Sequence, residues 1–67
     1  MHNDVILLRF AACRAVTGQA RLLEMPDGRE VWFPVSQCPG LEDVDRDVEN
    51  GEFECPEWLA AKKDCDA

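Results

Sequence analysis

Eight carboxylate side chains within sixteen residues are the feature of this chain that could support chemistry. They are Glu42, Asp43, Asp45, Asp47, Glu49, Glu52, Glu54 and Glu57. We call the stretch from Glu42 to Glu57 the acidic segment. Its only base is Arg46, so it accounts for the whole net charge of −7. Concentrated negative charge repels nucleic acid and anionic membranes, and it attracts metal cations or basic protein surfaces.

Three alternating aspartates followed by a glutamate imitate the ligand spacing of a calcium-binding EF-hand loop. Asp43, Asp45 and Asp47 would be the first ligands and Glu54 the last. The position that needs glycine for a sharp turn is Val48, and no helix-forming segment precedes the loop. We therefore expect no metal or other cofactor here, and we interpret these carboxylates as solvent-exposed.

Catalysis is not expected from this sequence. The single histidine, His2, lies close to the N-terminus, and the chain has no glycine-rich phosphate loop and no tyrosine. A chain of this length buries only about 60% of its unfolded surface. It can therefore hardly form the desolvated pocket that general acid–base catalysis by two carboxylates requires. We predict a protein that is not an enzyme.

Four cysteines in so short a chain could bind zinc, form disulfides or remain as thiols. They are Cys13, Cys38, Cys55 and Cys65. No C-x-x-C pair typical of a structural zinc site occurs among them. Disulfides need an oxidising compartment, whereas residues 1–4 lack the cationic start of a signal peptide. The apolar run 5–8 is too short to span a bilayer. We expect reduced thiols that are buried, with one exposed thiol at most, in a soluble, cytoplasmic protein.

Turn and strand patterns predict the elements that would position these side chains. Residues 5–10 are apolar and partly β-branched, which favours a strand. The turn signal Pro26-Asp27-Gly28 precedes an aromatic and β-branched run over 30–35, so we predict a β-hairpin over about 19–37. Pro34 cannot donate to a sheet ladder, which places the second arm of this hairpin at an edge.

The rest of the chain predicts a loop, a short strand and a helix. Repulsion between neighbouring carboxylates favours an acidic loop over 41–51 that ends in a turn at Asn50-Gly51. Residues 52–55 alternate like a strand. A C-terminal helix is predicted over about 56–63, because Pro56 suits its first turn and two lysines complement the dipole at its end.

These elements predict one small domain over 1–67 that is mainly β (α+β). We expect a small antiparallel sheet or an SH3/OB-like open barrel of 3–4 strands with a C-terminal helix. A plain hairpin-plus-helix arrangement is the alternative. The predicted core consists of Ile6, Leu8, Phe10, Leu22, Val31, Phe33, Val35, Phe53, Trp58 and Leu59.

Three segments share the layout of a known group of proteins. They read T-x-x-A over 17–20, VW-x-P-x-SQ over 31–37 and P-x-WLA-x-x-K over 56–63. This layout resembles short, uncharacterised phage and prophage proteins. The resemblance implies a compact β-rich fold in a mobile-element setting and supplies no established activity. Most of the acidic segment lies outside the layout.

In that setting, small acidic phage proteins resemble inhibitors of host defence, including anti-CRISPR proteins that present carboxylates in place of phosphates. We predict an inhibitor that blocks a basic nucleic-acid-binding surface of a host defence complex, such as a CRISPR effector. We expect a monomer or weak dimer that binds neither nucleic acid nor membrane. The predicted contacts are Glu42, Asp43, Asp45, Asp47, Glu49, Glu52, Glu54 and Trp32. The alternative is that these charges only keep the protein soluble.

A second hypothesis assigns binding to the hairpin instead. An edge strand with exposed aromatic residues favours self-association or the addition of another strand. The protein would then be a small-barrel adaptor or accessory factor in phage replication or recombination. Its contact edge would consist of Trp32, Pro34, Ser36 and Gln37.

Overall fold

A computed structural model describes residues 4–65 of the chain. Within these residues, four antiparallel strands form one sheet with the order β3-β2-β1-β4, and a short helix follows. The elements are β1 (Val5–Val16), β2 (Ala20–Glu24), β3 (Glu30–Pro34), β4 (Glu49–Pro56) and α1 (Glu57–Lys62). A single turn of 3-10 helix, Leu41–Asp43, lies between β3 and β4. The predicted fold class, a small and mainly β antiparallel sheet with a C-terminal helix, is confirmed.

β1 is longer than the predicted strand over 5–10, and it joins both halves of the sheet. Its first part, Val5–Ala12, pairs with β4, and its last part, Ala12–Val16, pairs with β2. The register with β2 shifts between Cys13 and Ala15, where the strand is irregular. This second part was not predicted as a strand, because alanine and arginine favour helix over strand.

β2 and β3 form the predicted hairpin, and β3 is an edge strand. The Met25 amide donates to the Arg29 carbonyl at 2.7 Å, and the Val35 amide donates to the Gln19 carbonyl at 2.9 Å. Because hydrogen-bonded pairs alternate along an antiparallel ladder, the nitrogen of Pro34 points away from β2. Its missing N–H therefore removes no bond from the sheet.

Three aromatic rings from three strands form the centre of the core. Phe33 of β3 packs edge-on against Phe53 of β4 with ring centroids 4.9 Å apart, and Phe10 of β1 lies 6.1 Å from Phe53. Since β3 and β4 stand at opposite ends of the strand order, this contact shows that the sheet curls around its core. The other core residues are Leu8, Cys13, Leu23, Met25, Cys38, Leu41, Cys55, Leu59, Ala60 and Cys65.

Most of the predicted core is confirmed. The predicted residues that are buried are Leu8, Phe10, Phe33, Phe53 and Leu59. Three more, Ile6, Val31 and Val35, are partly buried and pack against this cluster. Leu22 is only partly buried and lies outside the cluster.

The prediction for Trp58 is wrong, because this side chain is 58% exposed. α1 has six residues and buries Leu59 and Ala60, which leaves the indole on the outer side of the helix. Glu57 in its first turn and Lys62 in its last turn complement the helix dipole, as expected. Within the described residues, no helix is long and apolar enough to cross a membrane.

The predicted turn at Asn50-Gly51 is also wrong, since both residues lie in β4. Asn50 nevertheless has the left-handed backbone that favours turns, with φ of 57°. Gly51 lies against Phe10, and a Cβ atom there would stand 2.3 Å from Phe10 Cζ. A glycine is thus required at this position so that the ring of Phe10 can pack against the backbone. The predicted acidic loop over 41–51 therefore ends earlier, before residue 49, where β4 begins.

Candidate protein-binding surface

The acidic segment runs from the connection after β3, along the edge strand β4, to the start of α1. Glu42 and Asp43 lie on the 3-10 turn, Asp45 and Asp47 in the loop, Glu49, Glu52 and Glu54 on β4, and Glu57 at the start of α1. All eight side chains are exposed. Because Phe53 and Cys55 point into the core, Glu52 and Glu54 project from the opposite face of β4.

One ion pair involves this segment within residues 4–65. Arg9 Nε lies 3.4 Å from Glu52 Oε2, and both side chains are substantially exposed. Two other arginines pair elsewhere, Arg14 with Glu24 and Arg29 with Asp27. Apart from Glu52, the carboxylates of the acidic segment therefore have no paired base in the described part of the chain.

Arg21 anchors the start of the acidic segment from inside the protein. It is 7% exposed, and its Nε donates to the Val44 carbonyl at 2.7 Å while Nη2 donates to the Glu42 carbonyl at 3.1 Å. Its Nη1 donates to the carbonyls of Thr17 and Ala20. Because the guanidinium binds backbone oxygens, it fixes the path of the 3-10 turn and leaves the side-chain carboxylates free.

This role of Arg21 was not predicted from the sequence. Along alternate positions, Arg21 lies on the same side of the chain as the apolar residues Leu23 and Met25, which are both buried. A charged residue on the inward face of a strand needs several hydrogen-bond acceptors, so the alternation was a usable signal. The acceptors themselves could not be foreseen, because Glu42 and Val44 are distant in the sequence.

The rest of the loop is held against β1. The Cys13 amide donates to the Val48 carbonyl at 2.8 Å, and the Asp47 amide donates to the Cys13 carbonyl at 2.9 Å. The Val48 amide also donates to the Asp45 carbonyl at 3.3 Å, which closes a turn with Asp47 at φ of 73°. The loop is therefore fixed at both ends, by Arg21 and by Cys13.

The EF-hand-like spacing does not bring its ligands together. Asp43, Asp45 and Asp47 lie on the turn and loop, whereas Glu54 lies within β4 opposite Leu7. Residues 4–65 contain no group of three or more histidine, cysteine, aspartate or glutamate side chains that could hold a metal ion.

Trp32 lies on a different edge of the sheet from the carboxylates of β4. Its side chain is 44% exposed and stands beside Leu22 in the ladder between β2 and β3. Ser36 and Gln37 lie in a turn after β3, because the Gln37 amide donates to the Pro34 carbonyl at 3.2 Å. The strand edge of the second hypothesis therefore ends at Pro34.

A groove of about 560 Å³ opens between the first part of β1 and the turn after β2. It is lined by Leu7, Arg9, Met25, Pro26, Asp27, Arg29, Glu52, Asp64 and Cys65. Both arginines of this groove are paired with a carboxylate of the same groove. Its one thiol, Cys65, is buried. The side chains that line this groove could therefore contact a ligand by packing and charge, but they include no activated nucleophile.

All four cysteines are free and buried. Burial raises the pKa of each thiol above its ordinary value of 9.0, and raises the pKa of Cys38 to about 12. These thiols are therefore neutral hydrophobic groups at physiological pH.

Stability should fall as the pH rises above 9.0. The thiols of the unfolded chain ionise near 9.0, while the buried thiols keep their protons, up to about pH 12 for Cys38. The unfolded state then binds fewer protons, and above about pH 9 the Cys38 thiol alone lowers the free energy of unfolding by about 1.4 kcal/mol per pH unit. The other three buried thiols change it in the same direction. Urea unfolding between about pH 8 and 10 measures this slope. A Cys38→Ala variant should show a shallower slope, and a parent whose stability is constant over this range would contradict the prediction.

The chain matches no protein-family model, no curated protein and no solved structure. The resemblance to phage and prophage proteins therefore stays a prediction. So do the predicted contacts, and the function is argued from the surface of the protein itself.

Proposed function

We propose that the protein is a non-enzymatic inhibitor that binds a basic, nucleic-acid-binding surface of another protein. The observation that carries this proposal is the exposed row of carboxylates in the acidic segment. Apart from Glu52, these groups have no paired base within residues 4–65. They are available to the lysine and arginine side chains of a partner, which otherwise bind phosphates.

The fixed backbone of the segment supports the same proposal. Arg21 holds the carbonyls of Glu42 and Val44, and Cys13 holds the loop at Asp47 and Val48. A loop that is already ordered loses less conformational entropy when it binds. The carboxylates thus form a charged surface on a defined backbone rather than on a disordered tail.

The expected partner is a host defence complex with a cationic nucleic-acid cleft, as in anti-CRISPR inhibition. Attraction between such a cleft and the acidic segment would accelerate encounter and would weaken as salt increases. The alternative, that the carboxylates only confer solubility, requires no partner at all. The two hypotheses differ in whether the effect of the carboxylates depends on their position in the acidic segment or only on their number.

A pair of charge-matched variants tests this difference. Asp43→Asn, Asp45→Asn and Glu49→Gln together remove three exposed, unpaired charges of the acidic segment. Asp4→Asn, Glu30→Gln and Asp64→Asn remove three exposed charges outside it. The probe is a purified CRISPR effector complex with fluorescently labelled target DNA, and the measured quantity is displacement of the DNA by the inhibitor.

The parent and the outside variant should displace the DNA at about 50 mM salt, and less well at about 300 mM. The variant in the acidic segment should associate about tenfold more slowly. Equal displacement by both variants would assign the carboxylates to solubility. The absence of displacement by the parent at low salt would also contradict the proposal.

The exposed Trp32 favours the second candidate, an adaptor that uses the edge of β3. The geometry supports it less well, because the strand ends at Pro34 and the proline nitrogen points outward. An incoming strand would meet one missing donor in a five-residue edge.

A further inference from the structure

β4 has an open backbone edge, a feature that is independent of its charge. It is the last strand in the order β3-β2-β1-β4, and its eight residues pair with β1. Among residues 4–65, no backbone hydrogen bond joins 49–55 to any element other than β1. The outer edge therefore leaves alternate N–H and C=O groups free to pair with another strand.

The side chains at this edge select which strand can bind. Glu52 and Glu54 project from the same face, and Glu49 and Glu57 flank them. A second copy of β4 would place carboxylates opposite carboxylates, which destabilises a strand pair. A strand with lysine or arginine two residues apart would place a cation opposite both Glu52 and Glu54 instead.

We propose that β4 binds its partner by strand addition, in which an extended basic segment pairs with the free edge of β4. In this segment, lysine or arginine alternates with apolar residues, because alternate side chains of a strand face opposite sides of the sheet. This proposal rests on the proposed function and specifies the structure of the partner segment that β4 would bind. The partner presents an extended cationic chain at the sheet edge.

The other edge of the sheet offers a contrast. On β3, the outward nitrogen of Pro34 cannot donate, so a long added strand would lose a ladder bond there. β4 has its only proline at its last residue, Pro56, and leaves 49–55 available. The two edges are therefore restricted in different ways, one by a missing donor and the other by charge.

The test uses the peptide acetyl-Lys-Val-Lys-Val-Lys-Val-amide and the same peptide with every backbone nitrogen methylated. The two peptides have the same side chains and charge, but the second has no backbone N–H donor. Titration calorimetry with the full chain should show about tenfold weaker binding of the methylated peptide, since at least two hydrogen bonds are lost. The unmethylated peptide should also slow hydrogen exchange of amides within 49–55.

Two charge-matched variants locate the peptide on the surface. Glu52→Gln with Glu54→Gln should weaken binding about fivefold, because two cross-strand charge pairs are lost. Glu30→Gln with Asp64→Asn removes the same charge from exposed positions outside the acidic segment and should change the affinity much less.

Three results would overturn strand addition: equal affinity of the two peptides, equal weakening by the two variants, or no binding of the unmethylated peptide. None of these results would contradict the proposed inhibitor function, because displacement of DNA by the acidic segment is measured separately. Binding of the peptide at β4 without displacement of DNA by the parent would contradict the proposed inhibitor function instead.

Discussion

Replacing Phe53 with alanine should lower the free energy of unfolding by about 3–5 kcal/mol, the largest effect that we expect from a single substitution. The Phe53 side chain is 3% exposed and lies between the rings of Phe10 and Phe33. Its removal opens a cavity and takes away the contact that joins β4 to β3. A domain of this size has only a few kcal/mol of net stability, so much of the variant should be unfolded at 25 °C.

Urea unfolding followed by tryptophan fluorescence measures this effect, and Trp58→Ala followed by circular dichroism is the matched control. Trp58 also carries a large aromatic ring, but it is 58% exposed and should change stability by less than about 0.5 kcal/mol. A loss of stability in Trp58→Ala as large as in Phe53→Ala would contradict the description of this core.

Replacing Arg21 with methionine should lower the free energy of unfolding by about 3 kcal/mol. Methionine has a similar length but removes the guanidinium donor from the carbonyls of Thr17, Glu42 and Val44. The Ala20 carbonyl keeps its hydrogen bonds from Thr17. Hydrogen bonds from a charged donor contribute more to stability than neutral ones, so their loss should be costly. The loop that contains Glu42 and Val44 should also become more mobile, because its anchor is gone.

Thermal unfolding and amide hydrogen exchange of residues 41–45 separate these two consequences. Arg21→Lys keeps the charge but cannot direct a planar fork of donors, so it should recover only part of the stability. Arg46→Met removes an exposed cation from the same segment and should be nearly neutral. If Arg21→Met were as stable as Arg46→Met, the buried network would not hold the loop.

The sequence predicted the parts of the fold that depend on local patterns. Turn chemistry at 26–28 indicated the hairpin, the missing amide of Pro34 indicated the edge, and alternation indicated the inward side chain of Phe53. These features depend on residues close to one another in the chain, so a single sequence contains the information.

The features that were not predicted correctly depend on contacts between residues that are distant in the sequence. The second half of β1 is a strand because β2 pairs with it, although its alanines favour helix. Asn50-Gly51 is a turn signal by composition, but pairing with β1 and the ring of Phe10 place it inside β4. Trp58 is exposed because a six-residue helix needs only Leu59 and Ala60 to cover the core.

The candidate surface also combines features that are visible in the sequence with contacts that only the fold creates. The sequence located the carboxylates, and the structure shows that all of them are exposed. It could not show that Glu52 would pair with Arg9, or that Arg21 would bind the backbone of the segment. Both contacts arise only when the sheet brings residues from different strands and loops together.

The pairing of β1 with β4 also predicts an order of folding. The hairpin of β2 and β3 joins neighbours in the chain, whereas the pair of Val5 and Pro56 joins residues at nearly opposite ends of it. Closing so long a loop loses chain entropy before any contact forms, so we expect this pairing to be the slow step. The edge of β4 should then form last, after the hairpin is in place. During synthesis it should form only after the ribosome has released the end of the strand.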